Sequence, residues 1–250
     1  MKSAELTWMI YIFILVYFLL GSIGIYFINR RKDPQDARKS WIKHVTYFLI
    51  INILFFSIFI NPVVFRLVTV LIIFVGFCEL FVLFRKSGFN HKKTFIQAVC
   101  ILAMFSCGFY HFSGMDKGLI LFTFFLLSIF DGFSQVTGQL WGRRKLFPKV
   151  SPDKTVEGFI GGAITALLSG FLFKDFISAP PLYALLLAAW IVVFAFIGDS
   201  AKSFYKRKYK VKDFNNLIPG NGGFLDRFDS LIAGGAGIAL LKLLLNFHLG

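Results

Sequence analysis

The sequence predicts an all-α, polytopic integral membrane protein with about eight transmembrane helices, and three observations carry that prediction. Of 250 residues 57% are hydrophobic, phenylalanine alone contributes 34, and only 16% are charged, a balance unlike that of soluble domains. The apolar residues gather into runs near 7–28, 42–60, 63–84, 94–112, 118–141, 156–178, 180–201 and 224–247, each close to the roughly 20 residues that cross a hydrocarbon core. These runs are continuous rather than alternating, which excludes outer-membrane strands.

The first run is longer than a signal-peptide core and is followed by a basic loop rather than a small-residue cleavage site, so it reads as a retained span. Asn61-Pro62 reads as a tight turn between the second and third runs. Glu79, deep in the third run, is costly there unless paired or functional; with nothing polar one helical turn away, it reads as a packing or protonated residue. Cys78, Cys100 and Cys107 fall inside spans without CxxC spacing and read as packing residues. No repeat or soluble domain interrupts the chain, which reads as one membrane-embedded domain, with residues 1–117 as an N-terminal transmembrane scaffold.

The formal net charge of +14 raises the question of nucleic acid, and the placement of the charges answers it. Basic residues crowd alternate loops: Arg30 to Lys43, Arg85 to Lys93, Arg143 to Lys154, and Lys202 to Lys212. Under the positive-inside rule these loops face the cytoplasm and both termini lie outside. The charge is then mostly topology, and no nucleic-acid partner is expected.

Polar residues concentrate in the second half. Asp131, Gln135 and Gln139 recur at successive helical turns along one face of the fifth run, which suits a cavity wall headed by a carboxylate. In "GRRKLFPKVSPDKTVEGFIGG", residues 142–162, Ser151 is the expected N-cap, with Pro152 at the first helical position and Glu157 in the first turns. A helix N-terminus among five basic residues is also suited to phosphate. Gly158, Gly161 and Gly162 would let helices approach closely. At the end of the seventh run Asp199, Lys202, Ser203 and Lys206 share one side; a snorkelling pair between Asp199 and Lys202 is the plain account. Beyond it Pro219, Gly220, Gly222 and Gly223 form a non-helical turn, so the last helix should begin near Phe224. Asp226 and Asp229 then lie three residues apart on one face, and two converging carboxylates repel unless something positive stands between them. A divalent cation is the usual solution, since Mg2+ takes one or two carboxylates and completes its shell with water and phosphate oxygens.

From Ser203 to Asp229 the chain reads "SFYKRKYKVKDFNNLIPGNGGFLDRFD". This resembles the signature of the phosphatidate cytidylyltransferases, also called CDP-diacylglycerol synthases: Ser, Lys-Arg, Lys-Asp, Pro or Gly, then His-Gly-Gly-x-x-Asp-Arg-x-Asp. The preceding "GDSAKS" and the stretch 142–162 are similar to the family as well, so the resemblance covers roughly residues 128–235. It implies that residues 118–250 form the catalytic region, acting at the cytoplasmic face of the cytoplasmic (inner) membrane. The implied reaction joins CTP and phosphatidate, or a related lipid phosphate, into CDP-diacylglycerol with release of pyrophosphate.

Together with the spacing argument, the resemblance implies a metal site at Asp199, Asp226 and Asp229, with Mg2+ as cofactor and a second cation left open. Lys206 and Arg227 join these acids as catalytic candidates. Lys154, Lys202, Arg207, Lys212, Asp213, Asn221, Gly222 and Gly223 are implied substrate contacts, with Ser151 and Thr155 adding hydroxyl or backbone contacts and Asp131 a polar wall. Membrane lipids and a second copy of the chain, as a homodimer, are the other implied partners. Three positions depart from the family pattern: Asn221 replaces the usual histidine, Asp153 a residue that is commonly basic, and Ser134-Gln135 a frequent Ala-Tyr. The alternatives are a CTP-dependent lipid kinase, which would transfer the γ-phosphate, and a non-enzymatic cation transporter lined by Glu79, Asp131 and Asp199.

Overall fold

Eight α-helices and one short hairpin make up the computed structural model, which describes residues 2–30, 33–215, 218 and 222–248. The helices are α1 (Lys2–Asn29), α2 (Pro34–Ile60), α3 (Pro62–Lys86), α4 (Lys92–Phe112), α5 (Lys117–Trp141), α6 (Val156–Leu172), α7 (Pro181–Lys208) and α8 (Leu225–His248). Six of them, α2, α3, α4, α5, α7 and α8, are long and apolar enough to cross a membrane; shorter apolar helical segments cover Tyr11–Phe27 and Val156–Leu172. The chain is an integral membrane protein.

Local chemistry sets the helix ends. The Asn61 side chain accepts from the Val63 amide at 2.8 Å and Pro62 begins α3, as the turn signal requires. The Asp116 carboxylate does the same for α5, accepting from Gly118 and Leu119. The start of α6 differs from expectation. Ser151–Thr155 is a strand, β2, paired antiparallel with β1 (Lys145–Phe147), and the cap is Thr155, whose hydroxyl accepts from the Gly158 amide at 3.1 Å. Proline has no N–H to offer a helix or a strand, so Pro152 is equally at home on this two-stranded edge, and the cap moves four residues along. Glu157 folds back to accept from the amides of Arg143 and Arg144, fastening hairpin to helix.

Packing is closest where residues are small. A Cβ on Gly158 would stand 2.7 Å from the Ser134 carbonyl oxygen, and Gly161 and Gly162 lie equally tight against Thr137 and Ser134, so α5 and α6 meet backbone to backbone. Helix α8 is the hub, with α4 and α7 packed along it. Its residues Phe228 to Ala239 are buried almost without interruption. Cys78, Cys100 and Cys107 are free and exposed; they face outward rather than pack, a correction to the expectation.

Helix α7, at 28 residues, is about 42 Å long at 1.5 Å per residue, against about 30 Å of hydrocarbon. Its last turns therefore reach the membrane face. The connections α5–α6 and α7–α8 sit at the same end of the up-and-down bundle, which brings the hairpin, the end of α7 and the start of α8 together.

Candidate functional site

At this end four carboxylates and three ammonium groups interleave. Asp199, Lys202 and Lys206 come from α7, Asp226 and Asp229 from the first turns of α8, Lys154 from β2 and Asp131 from α5. Lys154 forms an ion pair with one oxygen of Asp199, and its ammonium lies 5.4 Å from the centre of the Phe196 ring. Lys202 is the centre. Its Nζ is 3.1 Å from Asp199 Oδ1, 2.9 Å from Asp229 Oδ2 and 3.9 Å from Asp226 Oδ1, and it donates to the Asp226 carbonyl at 3.1 Å. Lys206 donates to Asp226 Oδ1 at 2.5 Å. Asp131 is accessible and within electrostatic reach of Asp199, Asp229, Lys202 and Lys154.

The expected geometry of the acid pair is present, since Asp226 and Asp229 face the same space. What separates them is an ammonium of the chain itself, Lys202, and not an empty gap. Among the described residues no three acidic or metal-ligating side chains close into a group that could hold a metal ion. The donor chemistry nevertheless suits Mg2+, which needs only one or two hard carboxylate oxygens when phosphates supply others. Asp131 has no hydrogen bond or ion pair among the described residues, and it lies within electrostatic reach of Asp199 and Asp229. The Lys202 pairing also corrects the snorkelling account, because its side chain is 10% exposed and held by four oxygens.

Asp226 has a second task. Its Oδ2 accepts from the amides of Gly223 at 3.0 Å and Phe214 at 3.2 Å, so this carboxylate ties the segment leading into α8 to the helix. Gly222 has φ +82°, the left-handed region where glycine is favoured, and a Cβ there would meet the Asp213 carboxyl at 3.1 Å. At Gly223 a Cβ would lie 2.8 Å from Phe214 Cβ and 3.0 Å from oxygens of both Asp226 and Glu79. Asn221, Pro219 and Gly220 lie outside the described residues, and with them the expected role of Asn221.

Glu79 is the residue that sequence reasoning missed. From α3 it accepts from the Phe224 amide at 2.6 Å, the Leu225 amide at 2.6 Å and the Asn215 side-chain amide at 2.7 Å. A helix leaves its first N–H groups without partners, and here a carboxylate from the N-terminal half supplies them. Both oxygens accept, so Glu79 caps α8 and is not merely a packing residue. Its partners lie 136 to 146 residues away in sequence, beyond any helical-turn search.

The remaining candidates sit around this centre. Arg207 donates to the Val150 carbonyl at 2.9 Å and the Val211 carbonyl at 3.2 Å, bracing the hairpin turn against the segment after α7. Lys212 is exposed, 3.7 Å from the equally exposed Asp153, and Asp213 and Arg227 are exposed as well. Ser151 pairs with Phe147 in the hairpin, and the Thr155 hydroxyl is used as the cap.

Several known proteins are similar to this chain over part of its length. One relative is the phosphatidate cytidylyltransferase of Bacillus subtilis, 44% identical over 104 residues, 41% of this chain and 39% of that one. That of Staphylococcus epidermidis is 37% identical over 151 residues, 57% of this chain and 58% of its own. That of Aquifex aeolicus is 33% identical over 176 residues, 70% and 63% respectively. The chain thus spans between about two-fifths and three-fifths of the length of these relatives. The sequence pattern described as the cytidylyltransferase family runs from residue 4 to residue 245, taking in the N-terminal helices, the interleaved charges and α8 alike, and so the chain belongs to the cytidylyltransferase family.

Proposed function

We propose that the chain transfers the cytidylyl group of CTP to phosphatidate, or a closely related lipid phosphate, forming CDP-diacylglycerol and pyrophosphate. The observation that supports it most is the interleaving of Lys154, Lys202 and Lys206 with Asp199, Asp226 and Asp229 at the membrane end of a lipid-embedded bundle. In the reaction a phosphate oxygen of the lipid attacks the α-phosphorus of CTP. One P–O bond forms, and the bond from the α-phosphorus to the oxygen bridging to the β-phosphate breaks, with pyrophosphate carrying away the electron pair.

The obstacle is repulsion between two anions, and preorganised positive charge aimed at the leaving group lowers it. Lys154 and Lys202 are positioned for the phosphates, each already held by an acid. Asp226 holds Lys206 and fixes the turn into α8. Mg2+, held through one or two oxygens of Asp199 and Asp229 together with phosphate oxygens, would neutralise the charge developing on those phosphates. We place this face in the cytoplasm, on the basic loops, and expect a homodimer from the family resemblance.

The test is transfer of label into lipid from CTP labelled at the α- or the γ-phosphate. Label from the α position with phosphatidate, lost in Asp226→Asn and Asp229→Asn at saturating Mg2+, supports the reading. Label entering lipid only from the γ position would replace it with a lipid kinase.

A further inference from the structure

Helices α4 and α7 both pack along α8 yet scarcely touch each other, and between them lies a cavity of about 130 Å³. Its shallow end is polar, with Thr94 and Gln97 on α4, Lys202 on α7 and Asp229 on α8. Its deep end is apolar, with Leu102, Phe105, Ile232 and Ala233. The outer rim is exposed: Ile101 is 43% and Phe204 58% accessible, so the groove opens sideways where the helices face lipid.

Two magnitudes fix what fits. From Thr94 to Phe105, α4 advances about 16 Å at 1.5 Å per residue, and one leaflet of a core of about 30 Å is about 15 Å deep. A cavity close in size to one that binds a benzene ring, roughly 150 Å³, takes a length of one hydrocarbon chain and not two.

The geometry points to this groove as the seat of one acyl chain of the lipid substrate, with the lipid's phosphate at Lys202. The inference rests on the proposed reaction for its occupant and adds the side from which the lipid reaches the charged centre. Continuity with the charged centre supports it: Lys202 and Asp229, which line the groove's head, are also members of that centre, so a lipid whose tail fills the groove presents its phosphate directly to the site. The Asp131 side of the centre is left for the nucleotide.

The experiment uses the full chain in nanodiscs with a phosphatidate bearing a diazirine in its acyl chain. The expected result is photolabel on α4 between Ala98 and Phe105, suppressed by excess phosphatidate and not by phosphatidylcholine. Label confined to α5 or α6, or label that phosphatidylcholine removes equally well, overturns the inference. Ala98→Phe, which fills the groove from the α4 wall, should raise KM for long-chain phosphatidate about tenfold, the loss of roughly two buried methylenes. KM for CTP and turnover of a dihexanoyl analogue should stay unchanged. Equal loss on both lipids, or no loss on either, counts against it. Labelling needs no CTP, and transfer from α-labelled CTP by the unmodified chain is scored separately. Failure of the reaction and failure of the groove are thus told apart.

Discussion

Changing Glu79 to glutamine tests whether a carboxylate on α3 sets the geometry of a site built on α7 and α8. The side chain is 2% exposed and accepts three hydrogen bonds of 2.6 to 2.7 Å. Glutamine keeps the volume and one acceptor but turns an NH2 group toward one of the donors. That leaves one buried N–H without a partner, at about 1–3 kcal/mol, and reduces the other bonds from charge-assisted to neutral, roughly 1 kcal/mol each. The summed local loss of about 3–5 kcal/mol does not exceed the lower end of the roughly 5–15 kcal/mol that holds a domain together, so the chain should still fold. The turn at Gly223 and the first turn of α8 would shift, and Asp226 with them.

If most of that energy is expressed as displacement, kcat/KM for label transfer from α-labelled CTP should fall about 100-fold. Hydrogen exchange at the Phe224 and Leu225 amides should quicken. Glu79→Asp is the companion, because a carboxylate withdrawn by about 1.5 Å keeps its charge but cannot reach both amides. It should exchange as fast as the glutamine variant. Full activity in Glu79→Gln, or activity lost with exchange at Phe224 and Leu225 unchanged, would refute the positioning argument.

Replacing Lys202 with methionine leaves the Asp229 carboxylate, 8% exposed, without its partner at 2.9 Å; breaking such a pair costs about 3–5 kcal/mol. The melting temperature should drop, and Mg2+ should restore more of it in the variant than in the unmodified chain, as read by thermal unfolding in detergent with and without the cation. Gly223→Ala places a methyl 2.8 Å from Phe214 Cβ and 3.0 Å from Asp226 Oδ2, so turnover should fall more than tenfold, checked by label transfer. Arg207→Lys keeps the charge but loses the fork that reaches Val150 and Val211; KM for CTP should rise with kcat little changed.

The helices were legible in the sequence because a membrane demands long uninterrupted apolar runs, and those runs need no tertiary information to be seen. The face shared by Asp226 and Asp229 was legible for a similar reason, as three-residue spacing at a helix start leaves little freedom. The hairpin was not, because serine, proline and threonine suit an edge strand as well as a helix cap, and only pairing with Lys145–Phe147 decides between them. Glu79 was hidden by distance along the chain. Lys202 was legible as a neighbour of Asp199 and a substrate contact, but not as the centre: it opens a run of cations that topology alone explains, and only the fold brings Asp226 and Asp229 of α8 around it.

That arrangement bears on how two anionic substrates could enter a centre that already holds four carboxylates. Lys154 and Lys202 are paired with Asp199 and Asp229 before any phosphate arrives, so their positions are fixed without substrate and little ordering remains to be done on binding. A phosphate that draws either ammonium toward itself frees an oxygen of Asp199 or Asp229. A freed carboxylate oxygen beside a phosphate oxygen is the ligand set Mg2+ prefers. Substrate and cation should therefore bind with positive coupling: CTP should raise the affinity for Mg2+, and by linkage Mg2+ should raise the affinity for CTP by the same factor. Titration of each in the presence and absence of the other measures both factors, and independent binding would show that the lysines do not exchange partners.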